Sequence, residues 1–367
     1  MTLAERICVE SLWDVLRHET RPVVLYGTGN GGDKIVDELL RHDIPLCGVF
    51  ASDGFVRNRT FRGFPVESLD AVTKRLGDDL VILLAFGSSR PDVMAGIERI
   101  AEKHTLLVPE VPLVGGDVFD RAYFEAHDAD LTALDASLAD DASRALLDDM
   151  IRYRLTGRLE YLRRTEPLYA SLRGLIRKDS VSTVLDGGAF TGDTVRVFGD
   201  TFPALCKVYA VEPDAHSYAK LAAYAAEEKR FAVHPRNGIL WCKTGTVPFR
   251  TAGSRGSGIG AAAKRQTETE AASFTADELG ADRIDLIKLD VEGAEHEALR
   301  GAVGVIRRDR PALAVSLYHR TDDLFTLPAM LRKLCPDYRF SLRRVPCFPG
   351  WDLLLYAVPK EKSALIL

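Results

Sequence analysis

Short apolar runs bounded by glycine, proline and polar clusters alternate along this chain with stretches whose apolar residues recur at helical spacing. VVLYG (23–27), PLCGVFASD (45–53), VILLAF (81–86) and TLLVPE (105–110) read as strands. DKIVDELLRHD and DVMAGIERIAEKH read as the helices between them, and GFPVESLDAVTKRL as a loop and a helix. Such alternation predicts a parallel sheet with crossover helices, ending near residue 115. Residues 117–178 hold few strand formers. Leu131, Leu134, Leu138, Leu146, Leu147, Met150, Ile151, Leu159 and Leu162 predict two or three packing helices. Alternation resumes at VSTVLD (181–186) and continues through KVYAVEPD (207–214), RFAVHP (230–235), DLIKLDVEG (285–293) and ALAVSLYH (312–319). ILWCKTGTVPFRT reads as an inserted hairpin about Lys243-Thr244-Gly245, and residues 253–272 as a mobile loop. YRFSLRR and DLLLYAV predict a closing antiparallel pair, and PKEKSALIL a loose tail. The expected architecture is α/β: two successive open Rossmann-like sheets, at 1–115 and 179–367, joined by a helical linker at 116–178.

Composition narrows the class. Among the 367 residues, 48 Lys and Arg stand against 53 Asp and Glu, a formal net charge of −5. That balance lacks the basic field that drives nucleic-acid binding, so no nucleic-acid partner is expected. No apolar run approaches the roughly 18 residues of a membrane span. The first residues read as an amphipathic helix carrying Glu5 and Arg6, without the order of a signal peptide, so a cytoplasmic location is expected. Cys8, Cys47, Cys206, Cys242, Cys335 and Cys347 form no CxxC pair and read as reduced thiols.

The chemistry concentrates in the second unit. VSTVLD runs into Asp186-Gly187-Gly188-Ala189-Phe190-Thr191-Gly192-Asp193-Thr194, a strand-to-helix turn. Small residues at 188 and 192 allow close backbone approach to a ligand, and a helix amino end favours negative charge. Asp186 can accept from an ammonium group. Glu212, at the end of the next strand, can accept from both hydroxyls of a ribose. Nicotinamide and S-adenosylmethionine sites share this pattern. An acidic residue opening the turn and a D-x-G-x-x-x-G spacing favour the methyl donor, because a carboxylate would repel a pyrophosphate. Lys288, Asp290 and Glu292 alternate, so they share one side near a strand's carboxyl end. Glu295 follows at a helix start, where it can cap the helix or complement its dipole.

VLDGGAFTGDT, VYAVEPD, IDLIKLDVEGAEHEALRGA and YHRTDDL, in that order, resemble the FkbM-type S-adenosylmethionine-dependent methyltransferases over about residues 180–358. The resemblance implies a class I seven-strand sheet and O-methylation of a sugar, glycan or natural-product hydroxyl. It implies donor contacts at Asp186, Gly187, Gly188, Phe190, Gly192, Asp193, Thr194, Glu212 and Asp290, with Asp290 near the transferring methyl. Phe190 stands where the general class I motif has its middle glycine. Arg343-Arg344 and the following VPCFPGW also depart from the pattern, which bears on acceptor preference.

A hydroxyl acceptor needs positioning and a base or a metal. His319 is the candidate base, oriented by Asp322 or Asp323, with Asp290 and Glu292 as catalytic neighbours. The same acids, with Glu295 and with or without His319, could instead hold a divalent cation, though no spacing signature compels one, and the expected metal-ligand set is none. The 253–265 loop is a candidate lid. In the first unit, Gly27-x-Gly29-x-x-Gly32 lies between a strand and a helix, with Asp53 further on, a context fit for a nucleotide or nucleotide-sugar. The alternative to a methyltransferase is therefore an NAD- or nucleotide-sugar-dependent oxidoreductase or binding protein centred there. Against it, residues 54–115 offer no persuasive acid–base group. Ligand-free packing or homo-oligomerisation is the competing role for this unit.

Overall fold

A computed structural model describes residues 2–56, 59–251 and 267–365. The first sheet holds β1 (Val23–Tyr26), β2 (Leu46–Phe50), β3 (Thr60–Phe61), β4 (Phe64–Glu67), β5 (Val81–Leu84) and β6 (Thr105–Leu107). Their order is β3-β4-β2-β1-β5-β6, parallel throughout except where β3 meets β4. β1 and β5 are apolar and buried along their whole length, as central parallel strands covered on both faces must be. The β3–β4 hairpin replaces the expected loop. Arg62 and Gly63, at φ +51° and +88°, make its two-residue turn, a geometry that matches strand twist.

Residues 117–178 form four helices rather than two or three: Arg121–Ala126, Asp128–Ser137, Asp141–Thr156 and Leu168–Leu175. Asp120 and Asp140 cap the first and third by accepting from Tyr123 N and Ser143 N, and Gly157, at φ +64°, ends the third. Side-chain caps satisfy amide groups that a helix start leaves open, so short helices can follow one another closely. Leu146, Leu147, Met150 and Ile151 join one continuous apolar core with Ile82 and Leu84 of the first sheet and Leu313, Val315 and Leu355 of the second.

The second sheet contains β7 (Thr183–Gly187), β8 (Lys207–Glu212) and β9 (Ala232–Asn237). A side sheet follows, built from β10 (Ile239–Leu240), β11 (Gly245–Thr251) and β12 (Thr267–Phe274). The main sheet resumes with β13 (Leu286–Leu289), β14 (Ala312–Ser316), β15 (Tyr338–Arg344) and β16 (Leu353–Pro359). The main order is β15-β16-β14-β13-β7-β8-β9, with β16 antiparallel to both its neighbours. Three expectations change here. β10 and β11 do not pair with each other; β12 lies between them, parallel to β10 and antiparallel to β11. β12 begins within the 253–272 stretch read as a loop, and the whole 253–265 candidate lid lies outside the described residues. The tail is anchored: the Lys362 ammonium, 5% exposed, donates to the Asp285 carboxylate at 3.3 Å. Among the described residues no helix is long and apolar enough to cross a membrane, and the six cysteines are free.

Candidate active site

β7 and β13 run side by side in register, with Lys288 opposite Asp186 and Leu289 opposite Gly187. Residues of two central strands therefore meet at the sheet's carboxyl edge. The Lys288 ammonium lies 3.4 Å from Asp186 Oδ1 and 3.6 Å from Asp290 Oδ2, and it donates to the Gly188 carbonyl at 3.0 Å. Burial alone would lower the lysine's pKa; the carboxylates of Asp186 and Asp290 outweigh it and hold the ammonium charged. Asp186 is fully buried, and burial raises its pKa despite Lys288. Its Oδ2 accepts from the Thr194 hydroxyl, while Oδ1 has no hydrogen bond.

The turn after β7 is tight because the backbone crowds it. A Cβ at Gly188, where φ is +76°, would fall 1.8 Å from the Asp290 carbonyl oxygen. One at Gly192, at φ +86°, would fall 2.7 Å from the Tyr224 ring. The protein itself already needs both glycines. Between them Phe190 takes φ +47° and stands 41% exposed at the crest, and Asp193 and Thr194 open the Asp193–Thr201 helix. Glu212, at the end of β8, ties this turn to the next loop. Its Oε2 accepts from Phe190 N and its Oε1 from Asp214 N, both at 2.9 Å. Burial pushes its carboxyl up to about 7 against those two backbone donors.

On the other side of β13 a second acidic corner forms. Asp290 Oδ1 accepts from Ser316 Oγ at 2.9 Å and Tyr318 OH at 2.8 Å. Glu292 takes a left-handed backbone, φ +54°, and burial raises its carboxyl to about 7, against the pull of His319. His319 is fully buried. Its Nε2 lies 3.5 Å from Asp290 Oδ1 and 3.6 Å from Glu292 Oε2, and its Nδ1 2.9 Å from Glu295 Oε1. Burial would lower the ring's pKa, but the charges of Glu295, Glu292 and Asp290 push it up to about 10. Neither ring nitrogen makes an aligned hydrogen bond.

Asp186, Glu212, Asp290, Glu292 and His319 thus gather along one edge of the sheet. The group against His319 is Glu295, not Asp322 or Asp323. Asp323 instead accepts from Arg320 N at 2.8 Å, which keeps its carboxylate on its own loop. Glu295 opens the Glu295–Arg300 helix and does not cap it from outside; its Oε1 accepts from Val291 N at 2.8 Å. Asp290, Glu295 and His319 each offer one ligand atom within 4.8 Å of the others.

Sequence reasoning also missed the residues that fix this corner from outside the sheet. Arg154, 3% exposed, donates to the carbonyls of Thr321 at 3.0 Å and Leu317 at 3.3 Å, bracketing the loop that carries His319. Val114 N donates to the His319 carbonyl at 2.9 Å. An arginine amid the apolar positions of a linker helix was the available signal.

The first unit's turn differs. Gly27 would place a Cβ 2.6 Å from the Phe86 ring, and Gly32 would place one 3.1 Å from Phe61, whereas Gly29 meets nothing within 4 Å. Asp53 is exposed in a short turn, and Arg59 donates to Thr28 Oγ1 at 2.9 Å. Beyond β5, Ser88 pairs with Phe348, and Trp351 packs against Gly87.

The crystal structure of the methyltransferase FkbM from Methylobacillus flagellatus KT covers 97% of this chain and 97% of its own. Its TM-score is 0.70 at 23% identity, so the two share the fold of both sheets and the linker. Aeropyrum pernix fibrillarin with natively bound S-adenosyl-L-methionine is 17% identical over 52% of this chain and 73% of its own, with a TM-score of 0.33. An S-adenosylmethionine-dependent methyltransferase from Aquifex aeolicus is 14% identical over 59% and 98%, also at 0.33. No curated protein sequence matches the chain. Residues 186–342, which carry the turn, both acidic strand ends and the His319 corner, match the family model of the methyltransferase FkbM domain, and the resemblance read from the motifs holds.

Proposed function

We propose that this chain is an S-adenosylmethionine-dependent O-methyltransferase acting on a hydroxyl of a sugar, glycan or natural product. One observation carries the reading: two acidic strand ends, Asp186 and Glu212, are joined through the 187–192 turn beside the Asp290–Glu292–His319 corner, within the segment that matches a methyltransferase domain. The donor suits these residues. Asp186 Oδ1 makes no hydrogen bond beyond its ion pair with Lys288, and the edge carries more carboxylate than cation, as a positively charged ligand requires. When bound, the donor supplies an electrophilic methyl group on a sulfonium and leaves as a neutral thioether.

The remaining tasks fall to this chain's side chains. Glu212 accepts from the ribose hydroxyls with the lone pairs its two amide contacts leave free. Asp186, steadied by Lys288 and Thr194, faces the methionyl end, and Gly187, Gly188, Phe190, Gly192, Asp193 and Thr194 shape the turn against the donor. A hydroxyl is a weak nucleophile near neutral pH, so its proton must leave as the methyl arrives. Asp290, Glu292 and His319 form the corner that positions the hydroxyl; the ring, held charged by its carboxylates, orients it, and the Glu292 carboxylate receives that proton. The sheet order, 3-2-1-4-5-7-6 when numbered from β7 across the main sheet with its seventh strand antiparallel, supports a class I methyltransferase sheet. The first unit is then a Rossmann-like domain beside it.

Two measurements on the full chain test the reading. S-adenosylhomocysteine should raise the melting temperature, and labelled S-adenosylmethionine should pass its methyl to an acceptor among nucleotide-sugars and glycans. His319→Gln should then cut turnover by about 10²- to 10⁴-fold while S-adenosylhomocysteine still binds. Absence of any melting shift at millimolar ligand would overturn the assignment.

A further inference from the structure

Arg344 and the VPCFPGW stretch after it, which depart from the family pattern, form the loop between β15 and β16, and the buried cation builds that loop. Arg344, 1% exposed, donates to the carbonyls of Leu162 at 2.6 Å and of Pro349 and Trp351 at 3.3 Å, and to that of Cys347. Four carbonyls around one guanidinium satisfy its donors and fix the course of the loop. The loop also joins the two units. β14 and β15 are both antiparallel to β16, so the loop stands at the carboxyl edge of the main sheet. There Leu317 N donates to the Leu353 carbonyl at 2.9 Å, one residue from Tyr318. Its other flank meets the loop after β5, at the carboxyl edge of the first sheet. Ser88 and Phe348 exchange two backbone hydrogen bonds, at 2.7 and 3.0 Å. A Cβ at Gly87 would fall 2.0 Å from the Trp351 ring, and Gly87 does not take a left-handed backbone. That glycine makes room for the indole, not for a turn.

Open α/β sheets bind ligands beyond the carboxyl ends of their strands, and binding sites favour the seams between domains. Here two such edges face each other. Tyr318, Trp351 and Asp352 on one side and Gly87, Ser88 and Ser89 on the other are half-buried, where a closed packing interface would bury them. Tyr318 OH donates to Asp290 Oδ1 at 2.8 Å. Burial, Asp290 and then Asp352 raise that hydroxyl well above its ordinary value, so a second carboxylate faces it from the loop. We propose that Trp351 and Asp352 form the subsite for the sugar ring of the acceptor, in the seam between the two units, with the ring laid on the indole and one of its hydroxyls donating to the Asp352 carboxylate. A pyranose has an apolar C–H face and a rim of hydroxyl donors, the complement of an indole beside a carboxylate. The run from Trp351 through Asp352 and Tyr318 to Asp290 leads from the seam to the corner where the methyl arrives. The purpose of the subsite rests on the methyltransferase reading; the binding of a sugar ring there does not need the donor.

Fluorine NMR of the full chain labelled with 5-fluorotryptophan is the test, because its three tryptophans give three resonances and Trp351→Phe assigns one of them. The probes are the methyl glycosides of glucose, galactose, mannose and rhamnose, with uridine diphosphate glucose as the nucleotide-linked form and uridine diphosphate as its control. At least one sugar should shift the Trp351 resonance saturably and leave that of the buried Trp13 in place. A shift with the nucleotide-linked sugar alone, absent with uridine diphosphate, would assign the acceptor to that form. Trp351→Ala and Asp352→Asn should each weaken the sugar by about tenfold or more. Gly87→Ala, in the first unit, should weaken it as well by displacing the indole. In all three variants S-adenosylhomocysteine affinity should stay within about twofold of the wild type, a split that general loss of structure would not produce. No Trp351 shift with any sugar, a shift that uridine diphosphate reproduces, or full sugar affinity in Trp351→Ala and Asp352→Asn would overturn the subsite. The wild-type spectra decide even if a variant fails to fold. Sugar binding is read without the donor, so failure of S-adenosylhomocysteine to bind would count against the methyltransferase reading and not against the subsite.

Discussion

Two glycine-rich turns in this molecule follow a central parallel strand and open a helix, and only one is ringed by buried charge. At the first, Phe86 covers Gly27, Asp53 is exposed, and the neighbouring loop after β5 is packed by Phe348 and Trp351 from the second unit. At the second, Asp186 and Glu212 are buried at the ends of adjacent strands, and Lys288 and a left-handed Glu292 crowd in beside them. The glycine pattern is thus a way of turning a strand into a helix, and both turns use it. What separates a packing turn from a candidate binding edge is buried charge, which costs free energy unless a partner or a ligand compensates it.

The largest predicted contrast sets Gly188 against Gly29. Gly188→Ala would drive a methyl group into the Asp290 carbonyl at 1.8 Å from a left-handed backbone. The turn and β13 cannot both keep their places, so a loss of more than about 3 kcal/mol in chemical denaturation, with loss of S-adenosylhomocysteine binding, is expected. Gly29→Ala meets no atom within 4 Å and carries only the strain of φ +113°, about 1–3 kcal/mol. If the two variants prove equally damaging, the contrast between the turns fails. The Gly29 variant also tests a nucleotide role for the first unit. A nucleotide-sugar held by that turn should bind more weakly to it, while S-adenosylhomocysteine binding stays unchanged.

Next in size is the contrast between the acidic residues that follow each turn. Glu212→Gln replaces one acceptor oxygen by an amide that faces Phe190 N or Asp214 N, donor against donor. It also removes the charge offered to a ribose. Hydrogen bonds to charged groups contribute about 1.5–3 kcal/mol, so calorimetry should find S-adenosylhomocysteine affinity lowered by about ten- to a hundredfold. Asp53→Asn, at an exposed site, should change neither that affinity nor stability by more than about 0.5 kcal/mol. An affinity loss at Asp53 of similar size would move the donor site to the first unit.

How far these differences could be read from sequence follows from where the physics resides. β1 and β5 are apolar runs, and their burial pattern follows from that alone, whereas β7 and β13 also bury Asp186 and Lys288, which pair with each other. β12 escaped because Thr-Glu-Thr-Glu-Ala-Ala-Ser has no apolar run; it is a strand because β10 and β11 both pair with it. Lys362 reads as a solvated tail charge and is buried because Asp285 lies within reach across the sheet. In the site, Asp186, Glu212 and Asp290 were legible from their place at strand ends. The approach of Glu295 to His319 was not, because it depends on how the helix after β13 meets the loop after β14. Arg154 in the linker and Val114 at the end of the first unit reach that loop, and no local pattern encodes a contact between segments more than 150 residues apart.

The smallest predicted effect is a pH dependence that should belong to one turn only. Burial raises the Glu212 carboxyl to about 7, above its ordinary value, so below that pH the free protein carries it protonated. A ligand whose ribose hydroxyls donate to this group favours the carboxylate, and protons therefore compete with it. At pH 8 roughly nine-tenths of the free protein holds the carboxylate, and at pH 6 roughly one-tenth. S-adenosylhomocysteine affinity should accordingly fall about tenfold between pH 8 and pH 6, with the loss beginning near pH 7 and proton uptake by the free protein opposing binding. Calorimetry in buffers of differing ionisation enthalpy would register the proton released on binding at pH 6. In Glu212→Gln both the slope and the proton should vanish, since nothing at that position titrates. A slope that survives the substitution would assign the proton to another group, and Glu212 would then be a structural tie between the turn and the next loop.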